Sequence, residues 1–154
     1  MPNSNLKSTD IYIASKIAYR FLKSKNIVIK SVGEGSNNKN FLAVLKDTSR
    51  KVVIKLSKAH KEYKAFGDYV KEKWCIEKSS KVGIPGPTVF ALGRTQGRAY
   101  MIESFVSGKN GKQLRNKIHI WHELGRYAKL IHSIKVRGFG EDLIDPKRGL
   151  FKDS

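Results

Sequence analysis

The stretch that decides the fold of this chain is SVGEGSNNKNFLAVLKDTSRKVVIKL, residues 31–56. Its pattern predicts a strand, a glycine-containing turn, a second strand, a short turn and a third strand. The apolar run at residues 41–45 forms the second strand, and the β-branched run at residues 52–54 leads to Lys55. The predicted turn consists of Gly33, Glu34, Gly35, Ser36, Asn37 and Asn38.

This turn and this lysine together suit a phosphate group. Glycine lets the backbone approach a ligand closely, and consecutive backbone N–H groups can form a concave anion site. A lysine amine fixed on a neighbouring strand supplies a point charge for the same phosphates. Short glycine motifs also arise by chance. An ordinary hairpin with a Gly/Asn turn and a solvated lysine is therefore the alternative interpretation.

The composition is that of a globular chain with a large excess of positive charge. With 154 residues it is long enough for one domain with a core. Its 31 basic and 13 acidic residues give a net charge of +18, which admits nucleic acid, an acidic membrane surface or a phosphorylated ligand as partner. Cys75 is the single cysteine, and the sequence contains neither a signal peptide nor a run of about 18 apolar residues. These features predict a cytoplasmic protein.

The remaining pattern adds helices and two further strands. Five antiparallel strands with one long helix between the third and the fourth make the predicted fold class α+β. The helices are predicted at residues 10–25, capped by Ser8 or Thr9, at 58–81 and at 118–134; the strands at 88–93 and 98–106, around a turn at 94–97; a loop at 107–111; and an irregular segment from Gly138.

This order resembles the small, ATP-binding lobe of protein-kinase-like phosphotransferases, and most of all the aminoglycoside phosphotransferase family. The resembling motifs lie between residues 27 and 142 and are GEGSNNKNF, KVVIKL, KEKWCIEKSSKVGIPGP, AYMIESFVSG and WHELGRYAKLIHSI. The resemblance implies an N-terminal helix at 1–26, an ATP-binding lobe at 27–108 with the protein-kinase-like fold, and the start of a second lobe at 109–154.

The resemblance also implies a role for each matching residue. Lys55 contacts the α- and β-phosphates of ATP, and Glu72, with Glu77 as the fallback, is its acidic partner. Val53 faces the adenine ring, and backbone groups of residues 104–106 meet the adenine edge. The implied nucleotide-binding residues are Gly33, Gly35, Ser36, Asn37, Asn38, Val53, Lys55, Glu72, Ser104, Phe105 and Val106.

Transfer chemistry in this family needs a His-x-Asp motif with an Asn five residues after the Asp, and a second Asp for Mg²⁺. The sequence contains no such motif, and Phe66-Gly67-Asp68 and Ile144-Asp145-Pro146 match pieces of the metal motif by chance. The four histidines do not complete a zinc site either. We therefore expect a truncated phosphotransferase that binds nucleotide without a catalytic residue or metal ligand of its own. Full-length relatives phosphorylate a hydroxyl of a small molecule.

The alternative is a basic, non-enzymatic module that binds nucleic acid or another polyanion. Such a module needs exposed aromatic side chains for stacking, in addition to charge. The aromatic residues lie mostly in apolar stripes, so they are expected to be packed, and neither specific nucleic acid nor a membrane is expected as partner. The apolar face of helix 118–134 is expected to be partly exposed and to favour self-association.

Overall fold

The computed structural model describes residues 4–108, 111, 114 and 117–153, with side chains from Thr9 onward. No helix in these ranges is long and apolar enough to cross a membrane. The elements of the described chain are α1 (Ser4–Leu22), β1 (Ile27–Glu34), β2 (Asn38–Leu45), β3 (Lys51–Ser57), α2 (Glu62–Lys81), β4 (Val89–Thr95), β5 (Arg98–Ser104), α3 (Ile118–His132), β6 (Phe139–Asp145) and β7 (Leu150–Asp153).

The first five strands form one antiparallel sheet in the order β1-β2-β3-β5-β4. The predicted fold class is confirmed, because this sheet carries the long helix α2 between its third and fourth strands. The chain divides into two compact units. One contains the chain through Tyr69 together with Val89–Phe105, and the other contains Val70–Thr88 together with the chain from Val106.

The main core of the first unit lies between α1 and one face of the sheet. Strand β3 alternates strictly, so Val52, Ile54 and Leu56 are fully buried on this face. They pack with the helix residues Ile13 and Ile17, which lie one turn apart on a single stripe. The same alternation leaves Lys55 on the opposite face of the sheet.

Helix α1 begins earlier than the sequence indicates. It starts at Ser4, so the predicted cap at Ser8 or Thr9 is wrong, and both residues lie inside the helix. The helix also ends at Leu22, where Lys23 takes a positive φ of 53°. Asp10 therefore occupies a mid-helix position on the buried stripe, three residues before Ile13. Its side chain pairs there with Arg98 and Lys39.

The opposite face of the sheet is partly covered by the first half of α2. Ala65 and Tyr69 pack there against Ala99 and Met101 of β5. Strands β4 and β5 are joined by a turn shorter than predicted, with Gln96 and Gly97 at positive φ values of 50° and 68°. Positive φ at both central residues is typical of a type I′ hairpin turn, whose twist matches that of the flanking strands.

The second unit contains a hairpin where the sequence predicted an irregular segment. Strands β6 and β7 pair antiparallel, so that prediction is wrong. The turn between them is fixed by the Asp145 carboxylate, which accepts hydrogen bonds from the N–H groups of Lys147 and Arg148. The ring of Phe151 meets the buried Trp74 ring edge-on at 5.8 Å between centroids. Asp145 is therefore a turn residue, and the turn signal Asp-Pro-Lys-Arg-Gly was overlooked.

Helix α3 ends at His132 rather than Ile134, and none of its described residues is buried. Ile118, Trp121, Leu124 and Ile131 are all at least half exposed, as expected from its wide apolar face. The predicted loop at 107–111 lies partly outside the described residues.

The prediction that the aromatic residues are packed is wrong for several of them. Tyr12 and Tyr19 on α1 are 54% and 42% exposed, and Tyr63 on α2 is 79% exposed. The ring of a tyrosine ends in a polar hydroxyl group. A helix face that contains tyrosines can therefore be exposed to water. Packing of the aromatic residues was the reason for not expecting a nucleic-acid module, and these exposed tyrosines remove that reason.

Gly67 weakens α2 without a structural need for glycine. A Cβ atom built on Gly67 meets no atom within 4 Å, and its φ is not positive. We expect Gly67→Ala to raise the free energy of unfolding by about 1 kcal/mol, measured by urea denaturation. Gly138→Ala is the matched control and should be destabilising, because Gly138 has a φ of 73° and its Cβ would meet backbone oxygens of β7. Equal effects of the two substitutions would contradict this interpretation.

Candidate functional site

The candidate site is the face of the sheet opposite α1, where four neighbouring residues share one side. Lys55 and Val53 point to the same side of β3, because side chains alternate along a strand. Asn40 of β2 pairs with Lys55, and Glu103 of β5 pairs with Val53. The alternation therefore places an amine, an amide, a carboxylate and an apolar side chain on adjacent strands.

Lys55 forms an ion pair with Glu103 across this face. The Nζ–Oε1 distance is 3.4 Å, and the side chains are 18% and 9% exposed. Glu103 is not among the residues predicted from the sequence for this site. The signal was present in the stretch AYMIES, because strand alternation puts Met101 and Glu103 on the same face. Predicting the partner also required the β3–β5 register, which no local pattern specifies.

Asn40 is the second residue that sequence reasoning missed. It lies between Gly33 and Lys55 in the ladder, since it pairs with both. The Oδ1 atom of Asn40 is buried and has no hydrogen-bond partner in the described structure. An acceptor left in this state costs free energy that a donor on a bound ligand would recover. Asn40 is therefore a polar neighbour of Lys55 on this face, with a buried acceptor that lacks a partner among the described residues.

The glycine-containing turn is tighter than predicted. Gly33 and Glu34 belong to β1 and Asn38 begins β2, so Gly35, Ser36 and Asn37 alone form the turn. The N–H of Gly35 donates to the carbonyl oxygen of Asn38 over 2.8 Å. A Cβ on Gly35 would lie 3.2 Å from the Asn38 Oδ1 atom, so a larger residue here would require the Asn38 side chain to shift slightly.

Charged residues tie the tip of this hairpin to the rest of the unit. Lys39 pairs with the buried Asp10 at 2.7 Å, and Glu34 lies 4.0 Å from Lys39 and 3.7 Å from Lys58. The backbone N–H of Lys58 also donates to the carbonyl oxygen of Asn37 over 3.2 Å. These contacts link the hairpin tip to α1 and to the residue that follows β3.

The remaining predicted site residues lie on other elements. Ser104 is the last residue of β5, and Phe105 and Val106 follow it as exposed residues. Lys51 lies 5.3 Å from the centre of the Phe105 ring. Glu72 is a half-buried residue of α2 and belongs to the second unit, whereas Lys55 belongs to the first. Its pairing with Lys55 stays a prediction.

Cys75 lies on α2 with an exposed side chain. Partial desolvation of its thiol raises its pKa; Lys71 opposes this rise and Glu72 adds to it. A thiol with a raised pKa holds less thiolate at neutral pH, so Cys75 lacks the character of an activated nucleophile. Within the described residues, no three His, Cys, Asp or Glu side chains are placed to hold a metal ion.

Comparison with solved structures identifies a similar fold. The chain resembles the spectinomycin phosphotransferase APH(9)-Ia, whose crystal structure contains ADP and spectinomycin, with a TM-score of 0.51 and 17% sequence identity. The likeness covers 70% of this chain and 33% of that one, so this chain spans about a third of the enzyme it matches. No protein-family model matches, and neither does any curated protein. The predicted kinase-like fold of the aminoglycoside phosphotransferase type is confirmed.

Proposed function

We propose that this chain binds ATP on the Lys55 face of its sheet, as the nucleotide-binding lobe of a phosphotransferase. The observation that carries the proposal is the grouping of Lys55, Val53 and Asn40 on one face beside an ordered glycine turn. The similar solved enzyme contains ADP, which supports a nucleotide as the ligand of this fold. In this proposal residues 27–108 are the ATP-binding lobe, 1–26 an added helix, and 109–154 the start of a second lobe.

The proposed contacts follow from the chemistry of each group. The hairpin tip, with Ser36 and Asn37 enclosed by the Gly35–Asn38 hydrogen bond, is proposed to offer backbone N–H groups to a phosphate oxygen. Lys55 lies two residues before the end of β3, which corresponds to about 7 Å at the usual rise per residue. Its amine supplies a point charge for the phosphates. Val53 offers an apolar surface for the adenine ring. The backbone after Ser104 offers hydrogen-bond partners for the edge of that ring. Glu72 supports Lys55 in the family pattern.

The proposal for these 154 residues is nucleotide binding and not phosphoryl transfer. Transfer would use Mg²⁺, its carboxylate ligands and a catalytic base, which the full-length relatives supply outside the motifs matched here. Those relatives transfer the γ-phosphate to a hydroxyl of a small molecule. The cytoplasm, where a lone cysteine stays reduced, is the proposed location.

Calorimetric titration with ATP tests the proposal through Lys55. We expect Lys55→Ala to bind ATP about tenfold more weakly than the unchanged chain, because it loses a charge-assisted contact to phosphate. Lys46→Ala is the matched control, since Lys46 is an exposed lysine of the β2–β3 turn, and it should leave the affinity unchanged. Equal ATP affinity in the Lys55→Ala variant and the unchanged chain would refute the proposed role of Lys55.

A further inference from the structure

The outer face of α1 carries tyrosines and cations in alternation. Tyr12, Lys16 and Tyr19 are exposed and lie four and three residues apart, so they share the helix face opposite the core stripe. The Lys16 Nζ atom lies 4.5 Å from the centre of the Tyr12 ring. The two tyrosines are about 10 Å apart along the helix axis at the usual rise per residue. This α1 surface therefore carries two exposed tyrosines, with the Lys16 amine over the Tyr12 ring.

A pocket of about 360 Å³ adjoins the α1 surface. Lys16 and Arg20 line one side of it, and Thr95, Gln96 and Tyr100 line the other. The pocket therefore contains two cations, two hydroxyl groups and one amide. All of these groups can donate hydrogen bonds to phosphate oxygens. The pocket is large enough for a small anionic group, and Ile17 adds an apolar wall beside these polar side chains.

From these observations we infer that the α1 surface binds single-stranded nucleic acid without sequence preference. Bases stack on Tyr12 and Tyr19, and the adjoining pocket holds a backbone phosphate. Nucleic-acid grooves of this type combine cations with aromatic side chains in the same way, and every base has a face that can stack. The chain's net charge of +18 adds a sequence-independent attraction.

The composition of the surface favours this ligand over other polyanions. Among the exposed side chains described on α1, Ile11 is the one aliphatic residue, whereas insertion into a lipid surface needs an apolar face. An acidic polypeptide would use the cations but would have no need for two exposed rings. The α1 surface also lies on the opposite side of the sheet from Lys55, so this binding is separate from the proposed ATP site.

Fluorescence anisotropy with labelled single strands of about 12 nucleotides tests the inference. At about 0.15 M salt, the Tyr12→Ala/Tyr19→Ala double variant should bind about tenfold more weakly than the unchanged chain. The Tyr12→Phe/Tyr19→Phe variant keeps both rings and should retain the affinity. Lys16→Ala should reduce the slope of log affinity against log salt by about 0.7, the value for one phosphate contact on a single strand. RNA and DNA strands are both titrated, and stacking predicts binding of both.

Tyr63→Ala is the matched control, because Tyr63 is an exposed tyrosine beside a cation, Arg94 at 5.0 Å, on the other side of the sheet. It should leave the affinity unchanged. The inference is overturned if the double alanine variant binds like the unchanged chain, or if the phenylalanine variant loses as much. It is also overturned if polyglutamate or anionic vesicles compete as well as the unlabelled strand, since the surface would then respond to charge alone.

Discussion

Asp10→Ala should lower the free energy of unfolding by about 3–5 kcal/mol, the largest effect that we expect of a single substitution in this chain. The Asp10 carboxylate is buried, and it accepts a hydrogen bond from the Arg98 guanidinium, which is also buried. Removing the carboxylate leaves the arginine charge in a poorly hydrated position without its anion. Since small domains are stable by roughly 5–15 kcal/mol, such a loss would bring the chain near its unfolding threshold.

Urea denaturation measures this loss, and two further variants define its cause. Asp47→Ala removes an exposed carboxylate that accepts a hydrogen bond from Asn26, and it should cost less than about 1 kcal/mol. Asp10→Leu combined with Arg98→Met should recover much of the stability, because it removes both buried charges and keeps the volume apolar. A loss in Asp10→Ala no larger than in Asp47→Ala would show that the buried pair does not hold α1 on the sheet.

This pair illustrates where prediction from the sequence ended. A helix was predicted over residues 10–25, which include the core residues Ile13 and Ile17. Asp10, however, was placed at the start of the helix, where an acidic residue interacts favourably with the helix dipole and faces solvent. The helix in fact begins at Ser4, so Asp10 lies on the buried stripe. Its partners come from β2 and β5, and their sequence separation of 29 and 88 residues leaves no local signal.

The fold was more predictable than the site for a related reason. Period-two alternation and turn residues specify strands locally, and they gave the five-stranded sheet. The site depends on which strands are neighbours and in which register, because that decides which side chains meet. Lys55 could be chosen from the strand that delivers it, whereas Glu103 and Asn40 needed the pairings β3–β5 and β2–β3. The β6–β7 hairpin was missed because its turn sequence was compared with a metal motif and not with turn chemistry.

The pairing of Lys55 with Glu103 has a large expected consequence for ligand binding. The Glu103 carboxylate pairs with the amine that is proposed to contact ATP phosphates. A phosphate that approaches Lys55 therefore competes with Glu103 for the same charge and is repelled by it. Holding the lysine in place favours binding, but the rotamer entropy involved is at most about 2 kcal/mol. Like-charge juxtaposition across a poorly hydrated contact costs several kcal/mol, so the repulsion outweighs the benefit of positioning.

We therefore expect Glu103→Gln to bind ATP about tenfold more tightly than the unchanged chain, a gain of about 1.4 kcal/mol, measured by calorimetry. Adenosine has no phosphate, so its affinity should be the same for both chains. The gain should also disappear when Lys55→Ala is added, because the carboxylate acts through the amine. Glu62→Gln is the control, since Glu62 lies 3.9 Å from Arg94 and away from Lys55. Weaker ATP binding by Glu103→Gln would instead make Glu103 the residue that positions Lys55, the role that the family pattern assigns to an acid on the helix.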